Sequence, residues 1–406
     1  MKIYKFRDLI DADIAVYAVD FLSQPDTTLV KRKPFVSKKT ERVLPMAKTS
    51  DIVIVTESVN KQYYEWLRSV DLGTDNIFEL NASKGTPLMT AIINNSNINS
   101  LKNYIHSFYG TKKFVPLMTV NDEPLVAHSL DLELLGGNPV TTLKYYNKSS
   151  FKEVVAKANL PVLRSELIYS NNDFDSLLKN YVNDFGSLIV KPVSASAGGD
   201  TYFVDKNNIK KIVSLISNKG DFLAEEYFNK DFETNDQWFI DKRGDIYFLG
   251  FSKQIIVNNS HIGNDYSIHN KDGLSSLESS LVVANLMKNE GYVGVFGLDY
   301  LHNDFSHFLI ENNARFNGST FTRGIIDRTG KDFSTWKTRA IKTNPMTFNE
   351  LKDLTKDVLY TGSDADASFI PYDISLLDTN GSFIGLFVGS NSESINLLYN
   401  DVSSRL

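Results

Sequence analysis

Apolar residues run together at 14–19 (IAVYAV) and at 51–56 (DIVIVT), and both runs are rich in β-branched side chains. A strand covered on both faces shows such runs instead of alternation, so the two segments predict buried strands of an α/β sheet. Residues 1 to about 140 read as alternating strands and helices, and 121–139, with its acidic residues, Gly136, Gly137 and Pro139, reads as a connector. A helix is predicted from near Ser149 through 151–158, ending at Asn159, with Pro161 beyond it as a stop signal. Strands dominate afterwards, at 187–191, 201–204, 222–227, 245–251, 294–301 and 307–313. The last stretch, 340–406, carries another helix-like segment and a strand at 382–388.

At 406 residues the chain is long enough for two or three structural units. Its net charge of −6 argues against nucleic acid as the main ligand, because neutralising phosphates needs a basic face. With no cysteine, disulfides, thiolate zinc sites and a cysteine nucleophile are excluded. Asp11, Asp13 and Asp20 interrupt the start, so no secretory segment forms, and no apolar run nears the ~18 residues of a membrane span. A cytoplasmic protein is expected. The one dense charge run is 31–42 (KRKPFVSKKTER), with six basic residues. It reads as a solvated loop, with docking of an acidic partner as the alternative.

Candidate chemistry concentrates at 294–320, GVFGLDYLHNDFSHFLIENNARFNGST. Two apolar-rich strands flank His302, Asn303 and Asp304, a turn-forming trio, so a hairpin is predicted. Side chains alternate faces with period two, which puts Glu311, Asn313 and Arg315 on one face and Asp299 on the face of Val295 and Gly297. Two carboxylates, an amide oxygen and a guanidinium suit magnesium, which wants hard oxygen ligands, beside a phosphate or oxyanion. A solvent-facing polar strand with chance salt bridges is the alternative. Upstream, 187–200 (SLIVKPVSASAGGD) delivers Lys191 on a strand into a loop of small residues, Ser194 to Gly199. Such a loop lets backbone N–H groups approach phosphate, although a glycine-rich turn explains it equally well. Between the two lies DFLAEEYF, with Glu225 and Glu226 among apolar residues.

In that order, the strand lysine, small-residue loop, E-x-Y-hydrophobe linker and Asp…Glu-x-Asn-x-Arg series resembles the ATP-grasp superfamily of carboxylate ligases. The family's earlier lysine is matched by Lys148, 43 positions before Lys191, and the 12-residue step from Asp299 to Glu311 suits its metal hairpin. The resemblance covers roughly 145–330. It implies an α/β protein with the ATP-grasp fold, two α+β subdomains sandwiching ATP over 141–340, behind a Rossmann-like pre-ATP-grasp domain over 1–140. Residues 341–406 would be a C-terminal extension packing on that core.

Carried over residue by residue, the resemblance makes Lys148 and Lys191 contacts of the ATP phosphates, with Ser196, Gly198 and Gly199 in a lid above them. Glu226 and Phe228 would meet adenine through their backbones, with Glu225 nearby, and Glu233 would meet ribose. Asp299, Glu311 and Asn313 would bind two magnesium ions, for which manganese could substitute; Arg315 would steady the acyl phosphate, and Lys253 would be a further phosphate-side cation. Ala314 stands where many relatives have proline, but alanine can still extend the strand. The flanks are similar to peptide ligases and to ligases that load an amino acid, such as glutamate, onto an acyl carrier protein. The implied reaction joins a small carboxylate to an amine, with the carrier thiol as the alternative acceptor and a homodimer admitted.

Overall fold

The computed structural model describes residues 2–25, 33–94, 98–193, 201–257, 260–267, 275–331, 333–363 and 366–406. The first sheet is parallel. Its strands are β1 (Ile14–Ala18), β2 (Ile52–Val55), β3 (Asn76–Glu79), β4 (Lys112–Pro116) and β5 (Glu133–Leu134), in the order β3-β2-β1-β4-β5. Both apolar runs seen in the sequence are its central strands, and every residue of β1 and β2 is buried. That is what helical crossovers on both faces of a parallel sheet produce.

Residues 121–139 are not a bare connector. They hold the helix Glu123–Ser129 and β5, which pairs in parallel with β4. The buried Glu123 carboxylate accepts from the backbone N–H groups of Val120 and Asn121, both at 2.9 Å, and so fixes the turn into that helix.

Two antiparallel sheets follow. The smaller contains β6 (Ser165–Ile168), β7 (Leu188–Pro192), β8 (Tyr202–Val204) and β9 (Phe222–Glu226), ordered β6-β9-β7-β8. The larger has eight strands: β10 (Phe232–Ile240), β11 (Ile246–Val257), β12 (Ser260–Ser267), β13 (Gly294–His302), β14 (His307–Asn313), β15 (Thr335–Lys342), β16 (Ala367–Leu376) and β17 (Ser382–Gly389). Their order is β14-β13-β10-β11-β12-β15-β17-β16. Residues from 335 onward thus continue the sheet that carries Asp299 and Glu311. The helix Leu277–Asn289 covers one face of β10 and β13, where the Ser276 and Ser280 hydroxyls donate to Asp236 at 3.0 and 2.7 Å.

The basic stretch is not a solvated loop. Its described part is helical, a turn over Lys33–Val36 followed by the turns Ser37–Met46, in which Thr40 and Glu41 are buried. Lys39 pairs with Asp373 of β16 at 2.7 Å, and Arg42 reaches the same carboxylate at 3.6 Å. The Arg42 guanidinium also lies 4.7 Å from the Phe321 ring centre. An aromatic face and a buried carboxylate, both distant in sequence, explain why local charge misleads here. Lys31 and Arg32 lie outside the described residues. Among the described residues no helix is long and apolar enough to cross a membrane.

Candidate active site

The β13–β14 hairpin forms as its alternation predicts, and the turn is closed by Asn303, whose Oδ1 accepts from Phe305 and Ser306 N–H at 3.0 and 2.9 Å. Register puts Asp299 directly opposite Glu311 and, on its other side, opposite Asn235 of β10. Directly opposed residues of an antiparallel pair share a face. One face of the large sheet therefore collects Glu233, Asn235 and Gln237 of β10, Asp299 of β13, and Glu311 and Asn313 of β14. The strand ends at Asn313, so Ala314 does not extend it. Arg315 nonetheless turns back, and its guanidinium donates to Asn313 Oδ1 at 2.8 Å.

A chain of hydrogen bonds fixes this face. Thr320 Oγ1 donates to Gln237 Oε1 at 2.7 Å, the Gln237 amide donates to Asn235, and the Asn235 amide donates to Asp299. From the other side Asn313 Nδ2 donates to Asp299 Oδ2 at 2.9 Å. Burial and the facing Glu311 nevertheless push the Asp299 carboxyl well above the usual carboxylate range. Burial acts the same way on Glu311, but Lys148 and Lys191 outweigh it and hold that carboxyl below its usual range. A divalent cation between the two would relieve the cost of the buried, opposed charges, and Asn313 offers a third hard oxygen. The donor set fits magnesium.

Cations arrive from the smaller sheet and the helix before it. Asn147 caps the helix Lys148–Lys157 by accepting from Ser149 and Ser150 N–H, and Lys148 at its first position pairs with Glu311 at 3.1 Å. Lys191 leaves β7 and ion-pairs with Glu225 of β9, as does Lys152, one helical turn after Lys148. Burial opposes the charge on Glu225, yet Lys191 and Lys152 prevail and keep its carboxyl low. Lys191 Nζ also reaches the Ile310 carbonyl at 3.5 Å, so the two sheets meet across the lysines.

The other candidates are placed less centrally. Glu226 is held by Arg164, at 2.7 Å from its Nε, and Glu233 pairs with Lys230. Phe228 packs edge-on to Phe308, ring centres 4.9 Å apart. Lys253 is not brought into the cluster. It opposes Thr234, whose side chain faces away from Asn235, and its ammonium lies over the Phe232 ring at 4.5 Å. Strand alternation therefore puts it on the face opposite Asp299 and Asn235. Ser196, Gly198 and Gly199 fall outside the described residues.

Sequence reading missed Asn235, Gln237 and Lys152. The lysine was findable, since Lys148 and Lys152 are four apart and share a helix face. The two amides lie in FETNDQWFI, whose polar residues mask a buried strand.

No family model matches this chain, and no curated protein matches its sequence. Solved structures do. An ADP complex of N5-carboxyaminoimidazole ribonucleotide synthetase aligns over 96 % of this chain and 95 % of its own, with TM-score 0.58 and 11 % identity. N5-carboxyaminoimidazole synthetase from Staphylococcus aureus, complexed with ADP, aligns over 96 % of each chain, with TM-score 0.56 and 10 % identity. The biotin carboxylase domain of the Hydrogenobacter thermophilus 2-oxoglutarate carboxylase, with MgADP and bicarbonate, aligns over 93 % of this chain and 86 % of its own, with TM-score 0.55 and 12 % identity. At such identities the shared property is the architecture. This chain has the ATP-grasp fold, preceded by a Rossmann-like parallel unit.

Proposed function

We propose that this chain is an ATP-dependent, ADP-forming carboxylate–amine ligase that activates a small carboxylic or amino acid as its acyl phosphate. The observation that carries the reading is the convergence of Lys148, from the helix, on Glu311, with Asp299 directly across the strand pair. The likeness in fold to synthetases and a carboxylase domain solved with ADP or MgADP supports it.

In this reading the substrate carboxylate attacks the γ-phosphorus, the bond to the β-phosphate oxygen breaks, and ADP leaves. The amine then attacks the acyl carbon and inorganic phosphate departs. Asp299, Glu311 and Asn313 would hold two magnesium ions, which neutralise phosphate charge. Lys148 and Lys191 add positive charge on the phosphate side. Lys152 and Glu225 keep Lys191 extended toward the cleft. Arg315, planar and fixed by Asn313 and by the Phe316 carbonyl at 2.9 Å, steadies the acyl phosphate and its tetrahedral successor. Glu226 and Phe228 offer backbone groups to adenine, and Glu233 a carboxylate to ribose.

Among the described residues nothing favours a carrier thiol as acceptor: Lys39 and Arg42 of the basic stretch are both turned onto Asp373. The test is product analysis with magnesium, ATP, candidate acids and free amines. ADP, phosphate and an amide are expected; AMP and pyrophosphate would overturn the reading.

A further inference from the structure

A partly open pocket lies away from the lysine–carboxylate cluster and shares no lining residue with it. It sits where the C-terminal end of β2 meets the helical turns Ser37–Met46 and the end of β16, and its volume is about 120 Å³. For scale, a cavity of roughly 150 Å³ holds a benzene-sized molecule. Lys38, Glu41, Glu57, Ser375 and Asp378 line it, with Phe348 as an apolar wall.

Three acceptors around this space have no hydrogen-bond partner among the described residues: Glu41 Oε1, Glu57 Oε1 and Ser375 Oγ. Buried acceptors are normally satisfied, and leaving one unpaired is costly. Glu41 makes the case sharpest, because it is only 6 % exposed. Nearby Asp373 does not relieve it, being an anion already engaged by Lys39 and Arg42. Burial, and then Asp373, push the Glu41 carboxyl up to about 8, with Lys38 acting in the opposite direction, so an arriving cation displaces a proton from Glu41 to solvent before the carboxylate can serve it.

We propose that this pocket binds a small organic ammonium, a short aliphatic amine or diamine, with Glu41 and Glu57 as its counter-charges and Ser375 as a further acceptor. An ammonium brings three donors and one positive charge to the place where acceptors and negative charge are in excess. The Phe348 wall suits an aliphatic body. The proposal does not rest on the ligase reading.

The test is calorimetric titration of the full chain, without nucleotide, using 1,4-diaminobutane, its uncharged counterpart 1,4-butanediol, and magnesium chloride alone. Saturable one-to-one binding of the diamine and none of the diol is expected. Glu41→Gln and Glu57→Gln should each weaken diamine binding by about tenfold or more, as loss of a charge-assisted contact does, with cooperative thermal unfolding confirming that each variant is folded. Glu57, nearer the surface, keeps the test open should Glu41→Gln fail to fold. Absence of saturable diamine binding, equal binding of the diol, or undiminished binding in the folded variants would overturn the proposal. So would magnesium binding at this pocket that the diamine does not displace.

Discussion

Glu311 faces Asp299 directly across the β13–β14 pair and takes the Lys148 ammonium at 3.1 Å on its outer side. Burial makes the charge on this carboxylate costly, and Lys148 makes it favourable.

Glu311→Gln keeps the size of the side chain and removes that charge. Turnover of magnesium–ATP to ADP should fall by roughly two decades or more, because lost stabilisation of phosphoryl-transfer charge amounts to several kcal/mol. The fold should survive, as Glu311 borders the cleft and is not in the apolar core. Steady-state ADP release beside a circular-dichroism melt checks both parts, and a folded variant with near-normal turnover would show that the hairpin is only structural.

Glu225 is different, being enclosed between Lys152 and Lys191. Glu225→Gln leaves two ammonium groups near one another without their shared anion, at a cost on the order of 3–5 kcal/mol. Its denaturant midpoint should drop markedly. Lys152→Met in the same background should recover part of the loss, which a denaturation series on the single and double variants would reveal.

Gly297 stands on the face of Asp299, and a Cβ there would come inside 3.0 Å of the amide nitrogens of Asn317, Gln237 and Asn235. Gly297→Ala should therefore disturb the hydrogen-bond chain that orients Asp299. A stability loss of about 1–3 kcal/mol is expected from overpacking, with a fall in turnover larger than that expected for Gly186→Ala, which strains a helix end at φ +83° but meets nothing within 4 Å. Equal turnover in the two variants would count against the orienting role.

Asp236, on the opposite face, supplies a pH signature. Burial, against the pull of Ser280 and Ser276, raises its carboxyl from 3.8 to about 7. Between those values the folded chain holds a proton that the unfolded chain has lost, so stability falls as pH rises across that window. Asp236→Asn should flatten this slope, by an amount on the order of a few kcal/mol between pH 4 and 7. Part of the slope should remain, because burial also raises Asp20, Asp327 and Glu41. Urea titrations at several pH values would measure it, and an unchanged slope in the variant would refute the assignment.

The β13–β14 hairpin was legible because alternation, turn residues and polar spacing all agree within 27 residues, GVFGLDYLHNDFSHFLIENNARFNGST. The central strand β10 was not legible. Its Glu233, Asn235 and Gln237 are buried polar residues serving the cleft, which is where local pattern and tertiary role part company. Lys253 shows another limit: alternation says that it opposes its neighbours, but only cross-strand register says which face holds the site. The Lys39–Asp373 pair could not be read at all, because nothing local to either residue announces the other.

That pair has a consequence for how the chain reaches its native state. It joins positions 334 residues apart. On a ribosome, β1 to β5 can assemble once the first third of the chain has emerged, yet the Ser37–Met46 turns must wait for β16 before their charges are matched. Synthesis proceeds at roughly 5–20 residues per second, so this wait lasts on the order of tens of seconds. Through that interval Arg42 and Lys39 remain hydrated, although Thr40 can already bond Thr56 beside β2. The nascent amino-terminal sheet is thus a platform finished late, by the strands made near the end of translation.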